Sequence, residues 1–508
     1  MSTFRYKIDE RTGVKVARPP VGVRMLGPGD ARLRAEIKFR PDSEGGIFTV
    51  HTPDVDDAAL RVQVDTGGRG VLVMQTCLLP PREEPYDLTL ELARHRVKTF
   101  IVKSEDWEMF DPALAPIAVD RFERARNTFT DALVESNRLK QGKIATQALV
   151  EGLKATDRLA FAHADILLHH RYFNRPASST TLGTTINPAH DPAKLAPTLK
   201  GFDILTIPVC WRDIEVKEGK YDFSRLDEWV TAAQREKRPV ILGPLVNLEA
   251  GNLPPWAEVY RNDYGSLRDM LYTFMEQVVA RYIRHVGIWK VTSGLHIARD
   301  VRLKPEEMID LTRTAILLVR QYRRGARTMI EVDDLLGDMA AKRAGSIGAF
   351  EHLDQIRTEG IRVDCLGARV VVGGTDPGDR SRDLMTVSDS LDRFFLREAP
   401  LLVSACAAPH GETGGAAGYW KDRWSPEQQA AWAGQIVPIA LSKPYVEAVI
   451  WSCHQDESDS EGFGLVDHEG QPRPAHEKLL SMRRRLRRPL GKRPAPVVNE
   501  VSNHGSKD

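Results

Sequence analysis

This chain has almost no net charge: 71 basic residues balance 70 acidic ones over 508 positions. That balance leaves no electrostatic footprint for nucleic acid or for an acidic partner. The one basic run, Arg483-Arg484-Arg485-Leu486-Arg487-Arg488, reads as the solvated end of a helix, where cations are favoured. Cysteine is sparse. Cys77, Cys210, Cys365, Cys406 and Cys453 are scattered without metal-ligand spacing, and three of them sit in apolar β-rich runs as small core residues. His-x-His, His-Glu-x-x-His and clustered Asp patterns are absent, so neither a metal nor another cofactor is expected. No stretch approaches about 18 uninterrupted apolar residues, so no membrane span is expected. The N-terminal segment MSTFRYKIDERTG lacks the apolar core of a signal peptide, and a cytoplasmic location is the expectation.

What is present is periodicity. The chain is too long for one ordinary domain. Its part from 177 to 488 alternates short β-rich runs with helical stretches, eight times over. The runs are Thr181–Ile186, Ile204–Cys210, Val240–Val246, Gly287–Val291, Thr328–Val332, Val363–Val372, Leu401–Cys406 and Val446–Trp451. Helical period marks Leu226–Glu236, Leu267–His285, Glu306–Tyr322, Ser346–Thr358, Arg380–Leu396 and Pro426–Leu441. Eight parallel strands, each followed by a helix, predict an α/β chain closed into a (β/α)8 TIM barrel, with its chemistry at the C-terminal strand ends.

An N-terminal extension precedes the barrel. Residues 1–112 read as a β-rich unit, with Leu33–Phe39, Gly46–Thr52, Leu60–Val64 and Gly70–Thr76 alternating apolar and polar residues. A helix over Leu88–Val97 follows. Residues 113–172 read as helical, through Ala118–Asn137 and Ile144–His170, whose apolar stripes suggest packing on the barrel. Asn174–Thr180 reads as the linker into the barrel, and 489–508 as a disordered tail.

The second barrel run ends in Cys210-Trp211, then continues Ile214-Glu215, Gly219, Tyr221-Asp222-Phe223 and Leu226-Asp227. A Trp delivered to a barrel mouth offers a flat apolar platform of the kind that sugars stack on; equally, Trp211 can pack a helix. The order Trp-x-x-Ile-Glu-x-x-x-Gly-x-Tyr-Asp-Phe-x-x-Leu-Asp resembles the strand-two region of family 10 glycoside hydrolases, the xylanases. Pro254-Pro255-Trp256, Ile288-Trp289-Lys290-Val291, Ile450-Trp451, Gly464–Gly470 and Pro472-Arg473-Pro474-Ala475 are similar to further landmarks of that family in the same order. The resemblance spans about residues 180–485.

The resemblance implies a retaining glycosidase, in which two carboxyl groups about 5–5.5 Å apart act as acid/base and nucleophile. Here both implied positions are empty of acid. The strand-four run reads Trp289-Lys290-Val291-Thr292-Ser293-Gly294, with Gly294 at the acid/base position. The strand-seven run reads Val403-Ser404-Ala405-Cys406-Ala407, with Ala405 at the nucleophile position. Cys210, Pro244, Arg369 and Val371 replace the implied polar residues of the sugar subsites. The nearest later acids are Asp300 and Glu412.

Acids at other strand ends are candidate replacements: Asp333 and Asp334 after strand five, Glu249 after strand three, and Asp456 in the cluster Asp456-Glu457-Ser458-Asp459 after strand eight. Each can equally cap a helix or face water. Asp333 and Asp334 are neighbours, so only one can enter the mouth. Trp211, Trp256 and Trp451 are expected around one groove, with Asn247, Arg369 and His454 as polar contacts and His296 also within reach. The function expected is carbohydrate recognition without the family's hydrolase chemistry. Two alternatives stand beside it: an active O-glycosyl hydrolase on β-xylan or another β-glycan using relocated carboxylates, and a structural or assembly protein. The implied partner is an oligo- or polysaccharide, with no nucleic acid and no membrane; no protein partner is legible.

Overall fold

The computed structural model describes every residue except 179–180, 250, 298–300, 415, 459–461 and 494–508. Part of the expected linker, Asp300, Asp459 and most of the expected tail therefore lie outside the described residues. The chain divides into two compact units. One comprises Met1–Asn174, Asp383–Met385 and Leu490–Asp508; the other comprises Arg175–Arg382 and Thr386–Pro489.

The second unit is a closed barrel of eight parallel strands. In chain order these are Leu182–Thr185, Ile204–Ile207, Val240–Leu242, Ile288–Ser293, Arg327–Val332, Cys365–Val371, Leu401–Ala407 and Val446–Trp451. The eighth closes on the first, pairing Ile450 with Gly183 and Trp451 with Thr184. All eight expected runs become strands, and the fold is the (β/α)8 barrel that the alternation predicts. Strand three stops at Leu242, four residues early, because Pro244 has no N–H to donate. Pairing resumes beyond it, where Leu245 N–H bonds to Lys290 and Val246 N–H to Val291.

The helices fall where the 3.6-residue period places them: Ser224–Arg235, Tyr264–Tyr282, Pro305–Tyr322, Ala349–Thr358 and Pro426–Ser442. The expected Arg380–Leu396 helix is shorter, Leu384–Asp392, followed by a 3-10 turn at Phe395–Arg397. Two more helices, Pro192–Leu199 and Pro474–Leu486, begin with Pro, which suits a position whose N–H needs no intrahelical partner.

In the first unit, Ser2–Asp9 pairs antiparallel with Gly45–Thr52, which pairs with Glu36–Pro41. Ala59–Asp65 pairs antiparallel with Gly70–Gln75, Lys15–Val16 and Arg24–Leu26. The alternating buried and half-buried residues of Ser2–Asp9 are those of a strand with one face on a core. Helices Leu88–Asp106, Pro116–Val134 and Arg138–Arg171 complete the unit. The first of these runs well past the Val97 expected from sequence. Among the described residues no helix is long and apolar enough to cross a membrane.

Candidate functional site

The barrel interior is built in layers. Its floor is apolar: Ile204, Ile241, Met329, Cys365, Leu402, Ala448 and Ile450 pack together, with Ile288 against them. Successive strand residues face opposite ways, so residues two further along point inward again, one layer nearer the mouth. Two on from Ile288 is Lys290; two on from Met329 is Glu331. Their side chains meet, with Lys290 Nζ 2.7 Å from Glu331 Oε2. Ser293 donates its hydroxyl to Glu331 Oε1 at 2.6 Å. Both charged residues are buried, at 6 % and 5 % exposure. Burial opposes ionisation of Glu331, but the Lys290 charge and the Ser293 and Ser404 hydroxyls outweigh it and hold the carboxyl below its usual range.

Gly367 makes room for this pair. A Cβ there would lie 2.7 Å from Ser404 Oγ and 3.1 Å from Glu331 Cα and Cβ. A larger residue would have to push Ser404 Oγ aside and crowd the base of the Glu331 side chain.

The next layer is at the mouth. Asp333, two on from Glu331, lies 3.4 Å from Arg369 Nε through Oδ1. Arg369 also donates from Nη2 to Asp379 Oδ2 at 2.9 Å. Asp333 and Asp379 are buried, while the Arg369 side chain is about one-third exposed (32 %). Burial works against the Arg369 charge, but Asp379 and Asp333 raise its pKa well above the ordinary guanidinium value, with Glu249 adding to the effect. Burial pushes Asp379 up to about 6; Arg369 opposes the shift and Asp333 reinforces it. A small cavity of about 40 Å³ opens here, lined by Asp333, Asp334, Arg369, Asp379 and Arg380 among others.

The two positions of the implied carboxylate pair are at this mouth. Gly294 has φ +57°, and a Cβ on it would lie 3.7 Å from Asp333 Cβ. Ala405 pairs in register with Arg369. Neither carries a group able to transfer a proton.

The other expected site residues divide sharply. Asp334 is held by the backbone that follows it. Its carboxylate accepts backbone N–H bonds from Asp338, Met339 and Ala340 at 2.7, 2.8 and 2.9 Å, so it caps the following turn. Burial raises it to about 7 against those bonds, with Asp338 and Asp333 adding repulsion. Asp456 is 1 % exposed and committed elsewhere. It takes His410 Nε2 and Arg473 Nη1 at 2.9 Å each on Oδ2, and the Gly464 N–H at 2.7 Å on Oδ1. Burial opposes its ionisation, but His410, Gly464 and Arg473 hold its pKa down. Both carboxylates are thus engaged in holding the loops around them. Asn247 and Glu249 are half-buried, the Asn247 side chain accepting the Glu249 N–H at 3.0 Å.

The groove of three tryptophans does not form. Trp451 is fully buried because Ala448 and Ile450 face inward, which turns Trp451 out toward the helices. There it meets Trp432 edge-on at 6.4 Å and donates to the Phe463 carbonyl at 2.9 Å. Trp211 starts the one-turn helix Trp211–Ile214, stacks on Phe274 at 5.5 Å and donates to Glu215 Oε2 at 2.6 Å. Trp256 meets Trp211 edge-on, donates to the Glu215 carbonyl and alone of the three is partly exposed. His454 is a core histidine rather than a mouth contact. It lies 1 % exposed, with Nε2 2.9 Å from Thr198 Oγ1 and its ring edge-on to Phe202, and burial lowers its pKa to about 3. His296 is fully buried, with Nε2 3.0 Å from the Asp333 carbonyl.

Sequence reasoning missed Glu331 and Asp379 and read Lys290 only as a family position. A signal existed for the first: Met329-x-Glu331-x-Asp333 alternates inward positions and ends in two acids. Among the described residues no group of three or more His, Cys, Asp or Glu side chains could hold a metal ion.

No protein-family model and no curated protein matches the sequence. Solved structures similar to the chain include xylanase 10B of Thermotoga petrophila in complex with xylobiose, at 17 % identity and TM-score 0.47, covering 63 % of this chain and 96 % of that one. Xylanase B of Clostridium stercorarium is 16 % identical with TM-score 0.45, over 62 % of this chain and 98 % of that one. The intracellular xylanase TsXylA of Thermoanaerobacterium saccharolyticum is 15 % identical with TM-score 0.44, over 61 % and 96 %. Each likeness thus spans nearly all of a xylanase structure and about three-fifths of this chain.

Proposed function

We propose that the barrel mouth binds a carbohydrate without cleaving it by the double displacement of retaining glycosidases. The observation that carries the reading is the fate of the acids at the mouth. Gly294 and Ala405 stand at the two implied carboxylate positions, Glu331 is neutralised by Lys290, and Asp333 and Asp379 both lean on Arg369. A retaining mechanism needs one free nucleophilic carboxylate and one protonatable partner. What the mouth offers instead is a fixed set of charged donors and acceptors, with Ser293 bonded to Glu331 below them, and such convergent polar groups hold hydroxylated ligands.

Xylo-oligosaccharides are the first ligands to test, because the sequence resemblance points to them. Calorimetric titration should give saturable binding, and aryl β-xylosides and xylan should show no enzymatic turnover. Release of product at rates common among enzymes, about 1–10³ per second, would sink this reading. It would instead favour hydrolysis by relocated acids, for which Asp379, pushed up to about 6 and sharing Arg369 with Asp333, is the one specific argument.

A further inference from the structure

We propose that Asp333, Arg369 and Asp379 form a diol-recognition site for a neutral sugar. The inference rests on the carbohydrate-binding reading above and deepens it. Three observations carry it. The three side chains present acceptor, donor and acceptor in sequence, with contacts of 3.4 Å from Arg369 Nε to Asp333 and 2.9 Å from Nη2 to Asp379. A guanidinium has five N–H donors, and these contacts engage two nitrogens. The Arg369 side chain is about one-third exposed (32 %), so the guanidinium side of the site is not closed off from a ligand.

A cavity lined by all three side chains adjoins them. The cavity measures about 40 Å³, whereas one water needs only about 10–15 Å³ by the same measure. It therefore takes a hydroxyl pair rather than a whole sugar ring, leaving the ring on the open side.

The chemistry selects the ligand class. Each hydroxyl of a vicinal diol can accept from Arg369 and donate to one carboxylate, which fits the alternation. A carboxylate or phosphate ligand would pair with Arg369 but meet Asp333 and Asp379 at close range, and like charges disfavour it. A neutral sugar is accommodated; a uronate is excluded.

Titration calorimetry at pH 7.5 with xylotriose and with trigalacturonate, on the full chain and its Arg369→Met and Asp379→Asn variants, tests this. Wild type should bind xylotriose and not trigalacturonate, and each variant should bind xylotriose at least tenfold more weakly. Melting curves identify a variant that fails to fold, and Asp379→Asn, which keeps the side-chain shape, carries the test if Arg369→Met does so. Xylotriose binding within twofold of wild type in the folded variants would overturn the inference while leaving the carbohydrate reading in place. Tighter binding of trigalacturonate than of xylotriose would overturn the charge argument and the site with it. Failure of wild type to bind xylotriose would remove the carbohydrate reading itself, and this inference with it.

Discussion

Replacing Lys290 by Met should destabilise the protein by about 3–5 kcal/mol at neutral pH, the usual result of removing one partner of a buried ion pair. Lys290 and Glu331 side chains are 8 % and 5 % exposed, and their contact is 2.7 Å. Without the ammonium, the Glu331 carboxylate keeps only hydroxyl donors in a buried layer. In the wild type its pKa is held below the unfolded value, so the pair contributes stability above the unfolded carboxyl value of about 4.3. That contribution is lost as pH falls through the lower, folded value. In the variant the main cause of the depression is gone, and burial, the largest single influence, should push the Glu331 pKa upward. The variant's deficit should therefore be largest at neutral pH and shrink as acid protonates Glu331. Urea unfolding between pH 4 and 8 measures both trends. The double variant Lys290→Met, Glu331→Leu should recover much of the loss, because two apolar side chains of similar volume replace the pair. A single variant as stable as wild type across that range would mean that water already reaches Glu331.

Trp451→Ala should cost about 3–5 kcal/mol, the range for removing a large buried aromatic. The side chain is fully buried against Trp432, and its indole N–H is the donor to the Phe463 carbonyl. Trp451→Phe keeps most of the apolar contact and loses that hydrogen bond, so it should cost about 1–2 kcal/mol, in line with one buried bond plus a small void. Denaturant midpoints check both values. The comparison also separates a core residue from a sugar platform: a platform would weaken binding and leave stability nearly unchanged. Unaltered stability in Trp451→Ala would restore Trp451 to the mouth.

Much of the barrel was legible because its determinants are local. Eight β-rich runs and the helical periods between them depend on which residues alternate and which recur every three or four, and each run became a strand. The vacancy of the implied carboxylate pair was equally plain, since Gly294 and Ala405 carry no acid wherever they sit. Side-chain direction was harder. Trp451 was placed by its position near a strand end, although parity with Ala448 and Ile450 already turned it outward. Trp211 lies beyond the end of its strand, where the two-residue alternation no longer applies and a one-turn helix decides its direction.

By itself, then, the sequence determined the closed barrel and the absence of an acid at Gly294 and Ala405. Only the tertiary structure decided which charges meet. Lys290 reaches Glu331 across neighbouring strands whose register shifts between Lys290 and Thr292. Arg369 comes opposite Ala405 after a second shift that follows Gly367, and Asp379 arrives from a loop ten residues further along the chain. A slip of one residue turns a strand side chain to the other face, and hydrogen-bond partners in a loop are set by where the chain returns. Those choices depend on contacts far apart in sequence, which no local pattern encodes.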